Sequence, residues 1–284
     1  MANLETGSFF WAPSTRRFFF RDAQSDARAP SDSPGIKVPN ATLVREREAT
    51  MARIQDVLKA DEPSIVYQPI YSLDPRRVVG LECLSRFSVT PTRAPSQWFA
   101  DAVKVGMAVP LELKAIRKAL AGLAAVPDFY LAVNASPETI LSGELEDVFA
   151  DMETNRIVLE ITEHACVPDY NKLIRALEPL RRRSVRIAVD DVGAGFANMR
   201  HVINLHPELI KLDSSLIRSI DVHSNRRALV SAMVSFANET GSTIVAEGVE
   251  TADELNALKA LGVTTAQGYF LARPMRLAIA ARLL

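Results

Sequence analysis

Two cysteines in 284 residues cannot build a disulfide framework. With no signal-peptide pattern at the start, the chain is expected to keep free thiols in the cytoplasm. Histidine is nearly as scarce. His164, His201, His206 and His223 are the whole supply, and none pairs with a cysteine or another histidine at zinc-ligand spacing. Any metal used here is therefore expected to sit among oxygen ligands. No apolar run approaches the length of a membrane helix, because polar residues interrupt each one. Neither sign of charge dominates: 33 Lys+Arg against 34 Asp+Glu leave a net charge of -1. That balance excludes a protein that lives by long-range attraction to long nucleic acid or anionic membrane. What the chain does have is length and 48% hydrophobic positions, enough for one large core.

The first forty residues differ from the rest. An aromatic-basic cluster, Arg16-Arg17-Phe18-Phe19-Phe20-Arg21, precedes a stretch rich in Asp, Ser, Ala and Pro that reads as linker. From Thr42 to Ala60, Leu43, Met51, Ile54, Val57 and Leu58 recur at helical spacing, which predicts an amphipathic lead-in helix. Beyond it, short β-branched runs alternate with longer Ala/Leu/Arg/Glu-rich segments. Strands are predicted over Ile65–Tyr71, Val78–Ser85, Tyr130–Asn134, Ile157–Ile161, Arg186–Asp190, Leu209–Leu212 and Thr243–Ala246, with a weak one near Thr264–Gln267. Helical patterns fill Ser96–Val105, Pro110–Leu123, Asp169–Ser184, Asn225–Thr240 and Ala252–Leu261. This alternation predicts a (β/α)8 barrel, with a doubly wound sheet as the alternative. Only Ser72–Arg77, containing Asp74-Pro75, separates the first two strands. So short a connection suits a hairpin and an antiparallel first pair.

Polar residues close the strand patterns: Glu82, Asn134, Glu160, Asp190-Asp191, Lys211 inside Leu-Ile-Lys-Leu-Asp, Glu247 and Gln267. In a barrel these ends share one mouth. A single acid there reads as a cap or a solvated rim residue, but five carboxylates together would repel and raise one another's pKa values. A divalent cation removes that conflict, and carboxylate and amide oxygens suit Mg²⁺ or Mn²⁺. Adjacent Asp190 and Asp191 could bridge two ions, the arrangement for in-line displacement at phosphorus. Lys211 alternates with Ile210 and Leu212, so it is expected to point into the barrel and serve water or phosphate.

In chain order the sequence carries YQPIYSLD, GLECLSRF, LAVNAS, LEITE, AVDDVGAGFANM, LIKLD, VAEGVE and QGYFLARP. From about Met51 to the C-terminus it resembles the EAL-domain family, bacterial phosphodiesterases that hydrolyse cyclic di-GMP to linear pGpG. The resemblance implies an α/β fold, a (β/α)8 TIM-like barrel with an antiparallel first strand over residues 46–284, preceded by an N-terminal extension over 1–45. It implies that Glu82, Asn134, Glu160 and Asp190 ligate one Mg²⁺ or Mn²⁺, and that Asp190 and Asp191 hold a second. Lys211 would position or help deprotonate the attacking water, and Glu247 would act as base or further ligand. Gln267 would hold the water or the metal shell, while Gln68 and Arg86 would contact cyclic di-GMP, Arg86 at a phosphate. Residues 191–207 would form a loop and short helix that couple the site to a homodimer interface, with Glu163 as anchor.

Two positions depart from the family pattern: Glu-Ala-Leu stands as Glu82-Cys83-Leu84, and Val192 replaces a phenylalanine. Cys83 is expected to face the helix layer, and Val192 to bear on loop rigidity. Two other readings stay open. One is a receptor that binds cyclic di-GMP without hydrolysing it; the other is a scaffold whose Arg16–Arg21 cluster recruits a protein partner.

Overall fold

The structure is a computed structural model that describes residues 41–162, 167–193 and 198–283. Eight strands close a barrel in sequence order. They are β1 (Ser64–Leu73), β2 (Arg76–Arg86), β3 (Tyr130–Asn134), β4 (Ile157–Thr162), β5 (Arg186–Val192), β6 (Leu209–Leu212), β7 (Thr243–Ala246) and β8 (Thr265–Ala266). Closure rules out the doubly wound alternative. β1 runs antiparallel to both neighbours, β2 and β8, while every other pair is parallel. The turn joining β1 to β2 is Asp74-Pro75, as the short connection predicted.

Side chains alternate between two layers because successive strand residues point to opposite faces. Leu81, Val133, Leu159, Val189, Ile210 and Ala246 face outward into the main core beneath the helices. Ile70, Tyr130, Ala132, Val158, Ala188, Leu209 and Val245 fill the lower barrel interior. Cys83 is buried in the outer layer, as expected. Val192 also packs there and pairs with Leu212, so it supports the β5–β6 contact from outside the mouth.

The interior is tight. A Cβ added at Gly80 would fall 2.3 Å from the Tyr130 ring, so glycine here makes room for the phenol opposite it. Gly80→Ala is expected to destabilise the fold by about 1–3 kcal/mol through overpacking. A lowered urea midpoint would show this; an unchanged midpoint would mean the ring moves aside freely.

The lead-in helix α1 (Ala41–Lys59) packs beside α2 (Pro95–Val105) and α3 (Ala108–Leu120). Ile54 and Val57 of α1 join Phe87, Trp98, Ala102 and Leu111 in a second apolar cluster. Lys114 of α3 donates to the carbonyls of Val57, Leu58 and Ala60. An ammonium at these last carbonyls satisfies acceptors that a helix end leaves open. The helices Tyr170–Arg182, Ser224–Thr240 and Ala252–Ala260 lie within a turn of their predicted bounds. Among the described residues no helix is long and apolar enough to cross a membrane.

Candidate active site

Strand alternation carries the interior upward from apolar to polar. Above Ala132, Val158 and Ala188, the next inward positions are Asn134, Glu160 and Asp190. Gln68 lies opposite Glu82 across β1–β2, and Asn134 lies beside Glu160 across β3–β4. Above Leu209 and Val245 the same alternation brings Lys211 and Glu247 inward. Gln267 follows β8 and donates Nε2 to the Glu82 carboxylate, joining residues from opposite ends of the domain.

A regular strand cannot aim two consecutive residues into one cavity. The β5–β6 register shifts between Val189 and Val192, and Asp191 adopts φ 57, a left-handed conformation that aspartate tolerates better than most residues. This bulge turns both aspartates to the mouth. Oxygens of Glu82, Glu160 and Asp190 lie within 4.8 Å of one another, as do oxygens of Asp190, Asp191 and Glu247. The two carboxylate triads share Asp190.

Lys211, only 1% exposed, stands among them. Its Nζ is 2.7 Å from Glu247, 2.9 Å from Glu160, 2.9 Å from Asp190 and 3.7 Å from Glu82. Burial opposes its charge, but the Asp190, Glu160, Glu247 and Glu82 carboxylates together hold its pKa well above the ordinary lysine value. One ammonium carries three protons and cannot satisfy four carboxylates. Glu160 Oε2 and Gln267 Oε1 are buried without a hydrogen-bond partner, and Asp190 Oδ1 and Glu247 Oε1 are buried with the ion-pair contact to Nζ but no hydrogen bond. These unsatisfied oxygens are a donor set that fits hard divalent cations.

Protonation energetics agree. Burial, opposed by Lys211 and reinforced by neighbouring acids, holds Glu160 and Glu247 well above the usual carboxylate range. Burial and then Asp190 push Asp191 up to about 7 from 3.8. A carboxyl with a raised folded-state pKa favours the folded state below its unfolded value, and that contribution is lost as pH rises through the folded one. The metal-free protein is therefore expected to lose stability between about pH 4 and pH 7. Mg²⁺ or Mn²⁺ should raise its melting temperature more at about pH 8 than at about pH 5. Thermal melts with and without chelator test this, and equal metal-induced gains at both pH values would contradict it.

At the rim, the Arg86 guanidinium is pulled below its ordinary pKa by burial, which Tyr269 and Glu82 oppose. Gln68 Nε2 donates to the Ala272 carbonyl at 3.2 Å, tying β1 to the segment after β8. Glu163 lies outside the described residues, as does the Arg16–Arg21 cluster. Sequence reasoning passed over Tyr269 and Arg273, whose guanidinium stacks on the Tyr269 ring at 4.5 Å. Both stand in QGYFLARP, where only Gln267 was singled out. It also passed over Asp213, which caps the helix Ser214–Ile217 and adds to the negative charge around Asp191.

A closed (β/α)8 barrel with buried carboxylates converging on one lysine at its C-terminal mouth defines an α/β barrel with an acidic site able to hold metal. Residues 51–274 match the family model described as EAL domain. The chain belongs to the EAL domain family. A Pseudomonas aeruginosa protein named a cyclic di-GMP phosphodiesterase is 31% identical over 224 residues, covering 74% of this chain and 38% of the relative. The EAL enzyme Bd1971, in its cAMP- and cyclic di-GMP-bound form, superposes with TM-score 0.77 at 25% identity, covering 86% of this chain and 70% of that one. The manganese and cyclic di-GMP complex of BlrP1 from Klebsiella pneumoniae gives TM-score 0.67 at 28% identity, covering 75% of this chain and 56% of that one. The chain spans only 29%, 30% and 38% of the length of three curated relatives.

Proposed function

We propose that this domain hydrolyses cyclic di-GMP to linear pGpG by in-line attack of water at one phosphodiester. The observation that carries the reading is the pair of carboxylate triads sharing Asp190 around a buried lysine. Glu82, Asn134, Glu160 and Asp190 would hold one divalent ion, and Asp190 with Asp191 a second, Mg²⁺ or Mn²⁺ in each case. Bound there, the ions would supply Lewis acidity to the phosphoryl group. Lys211, kept charged by its carboxylates, donates hydrogen bonds that hold the attacking water. Glu247, with Oε1 2.7 Å from Nζ, is placed to accept the water proton. Gln267 fixes Glu82 through its amide nitrogen and offers the unpartnered Oε1 to the same space. Arg86 meets a phosphate of the dinucleotide and Gln68 orients it from β1.

The test is direct. Purified protein in Mg²⁺ or Mn²⁺ should convert cyclic di-GMP to pGpG, and EDTA should stop the conversion. Binding without any product over long incubation in either metal would overturn the proposal and favour a receptor.

A further inference from the structure

The opposite end of the barrel holds an open cavity of about 460 Å³. Its walls are the first residues of β2, β3, β5, β6 and β7, together with Thr265 of β8. Two arginines, Arg77 and Arg186, line it. Arg186 is held in place by stacking on the Tyr130 ring at 4.5 Å, and its Nε is a buried donor with no hydrogen-bond partner. Of the two carboxylates on the rim, Glu208 is already engaged. It accepts from the Ile187 N–H at 2.7 Å, and its other oxygen lies 3.6 Å from Arg181. Asp128 is the remaining carboxylate of a lining that carries two arginines, and among the described residues no ion pair engages either arginine.

We propose that this barrel floor is a second ligand site, distinct from the mouth, for a phosphomonoester about the size of a sugar phosphate. Planar guanidinium forks match the oxygens of a phosphate monoester. The volume exceeds what inorganic phosphate alone would fill, so the ligand carries a body. Val79 and Leu209 give that body an apolar wall, and the hydroxyls of Thr243 and Thr265 give it polar partners. The site uses none of the carboxylates at the mouth and stands whether or not the phosphodiesterase reading holds.

Isothermal titration of the full chain in EDTA tests the proposal, with ribose 5-phosphate, GMP, guanosine and inorganic phosphate as probes. At least one phosphate ester should bind saturably, at least tenfold more tightly than guanosine or inorganic phosphate. Arg186→Gln should weaken that binding at least tenfold. Arg77→Glu, at an exposed position, should do the same, while Glu82→Gln at the other mouth should leave it unchanged. Absence of binding by both esters would overturn the proposal. So would binding indifferent to both arginine substitutions, or binding lost in Glu82→Gln.

Discussion

Replacing Lys211 with methionine is expected to cost about 3–5 kcal/mol of stability in the metal-free protein, the range for stripping a buried charge cluster of one partner. Four carboxylates within 3.7 Å of Nζ would lose the one cation that, among the described residues, makes an ion pair with them. Hydrolysis should fall about 10²–10⁴-fold, the usual contribution of a positioned proton-handling group. These two losses should separate. Divalent cations supply counter-charge to the same oxygens, so Mg²⁺ or Mn²⁺ should recover most of the lost melting temperature without recovering turnover. Thermal melts in chelator and in metal, set beside turnover at saturating metal, make the comparison. A Lys211→Met chain as stable as the parent in chelator would refute the structural role; metal-restored turnover would refute the chemical one.

Glu82→Gln should behave in the opposite sense. The amide keeps the volume of the side chain and can still accept from Gln267, while removing one of the mutually repelling charges. In chelator the variant should be as stable as the parent or more so, because an acid in excess of its counter-ions is a liability when buried. In metal it should lose both the stabilisation and the hydrolysis, since one of the three carboxylates of its triad is gone. Full turnover in this variant would sink the assignment of the first ion. A variant destabilised in chelator would show that Glu82 is paired more strongly than the crowding implies.

Much of this was legible because it depends on period. The alternation around Lys211 predicts an inward ammonium, and Ile210 and Leu212 do face the helices. Hydrophobic runs locate the strands, even β8, which is only Thr265–Ala266. The helices Pro137–Leu141 and Leu145–Val148 escape a spacing argument because they are too short to repeat a hydrophobic face. The Asp190-Asp191 bulge is of another kind. A strict strand would send Asp191 outward, and only backbone geometry shows that both acids turn to the mouth. The link from Gln267 to Glu82 is likewise invisible in sequence, being a consequence of closure.

That closure has a kinetic side. β1 pairs with β8 through Tyr71 and Ala266, Tyr67 bridges Met275, and Gln68 reaches the Ala272 carbonyl 204 residues away. Contacts so distant in sequence incur their loop-closure entropy before they contribute energy. The same seam carries Gln267 to Glu82. The hydrogen bond that fixes Glu82 therefore depends on a partner 185 residues further along the chain, whereas the acids on β4 and β5 are set by pairing between neighbouring strands.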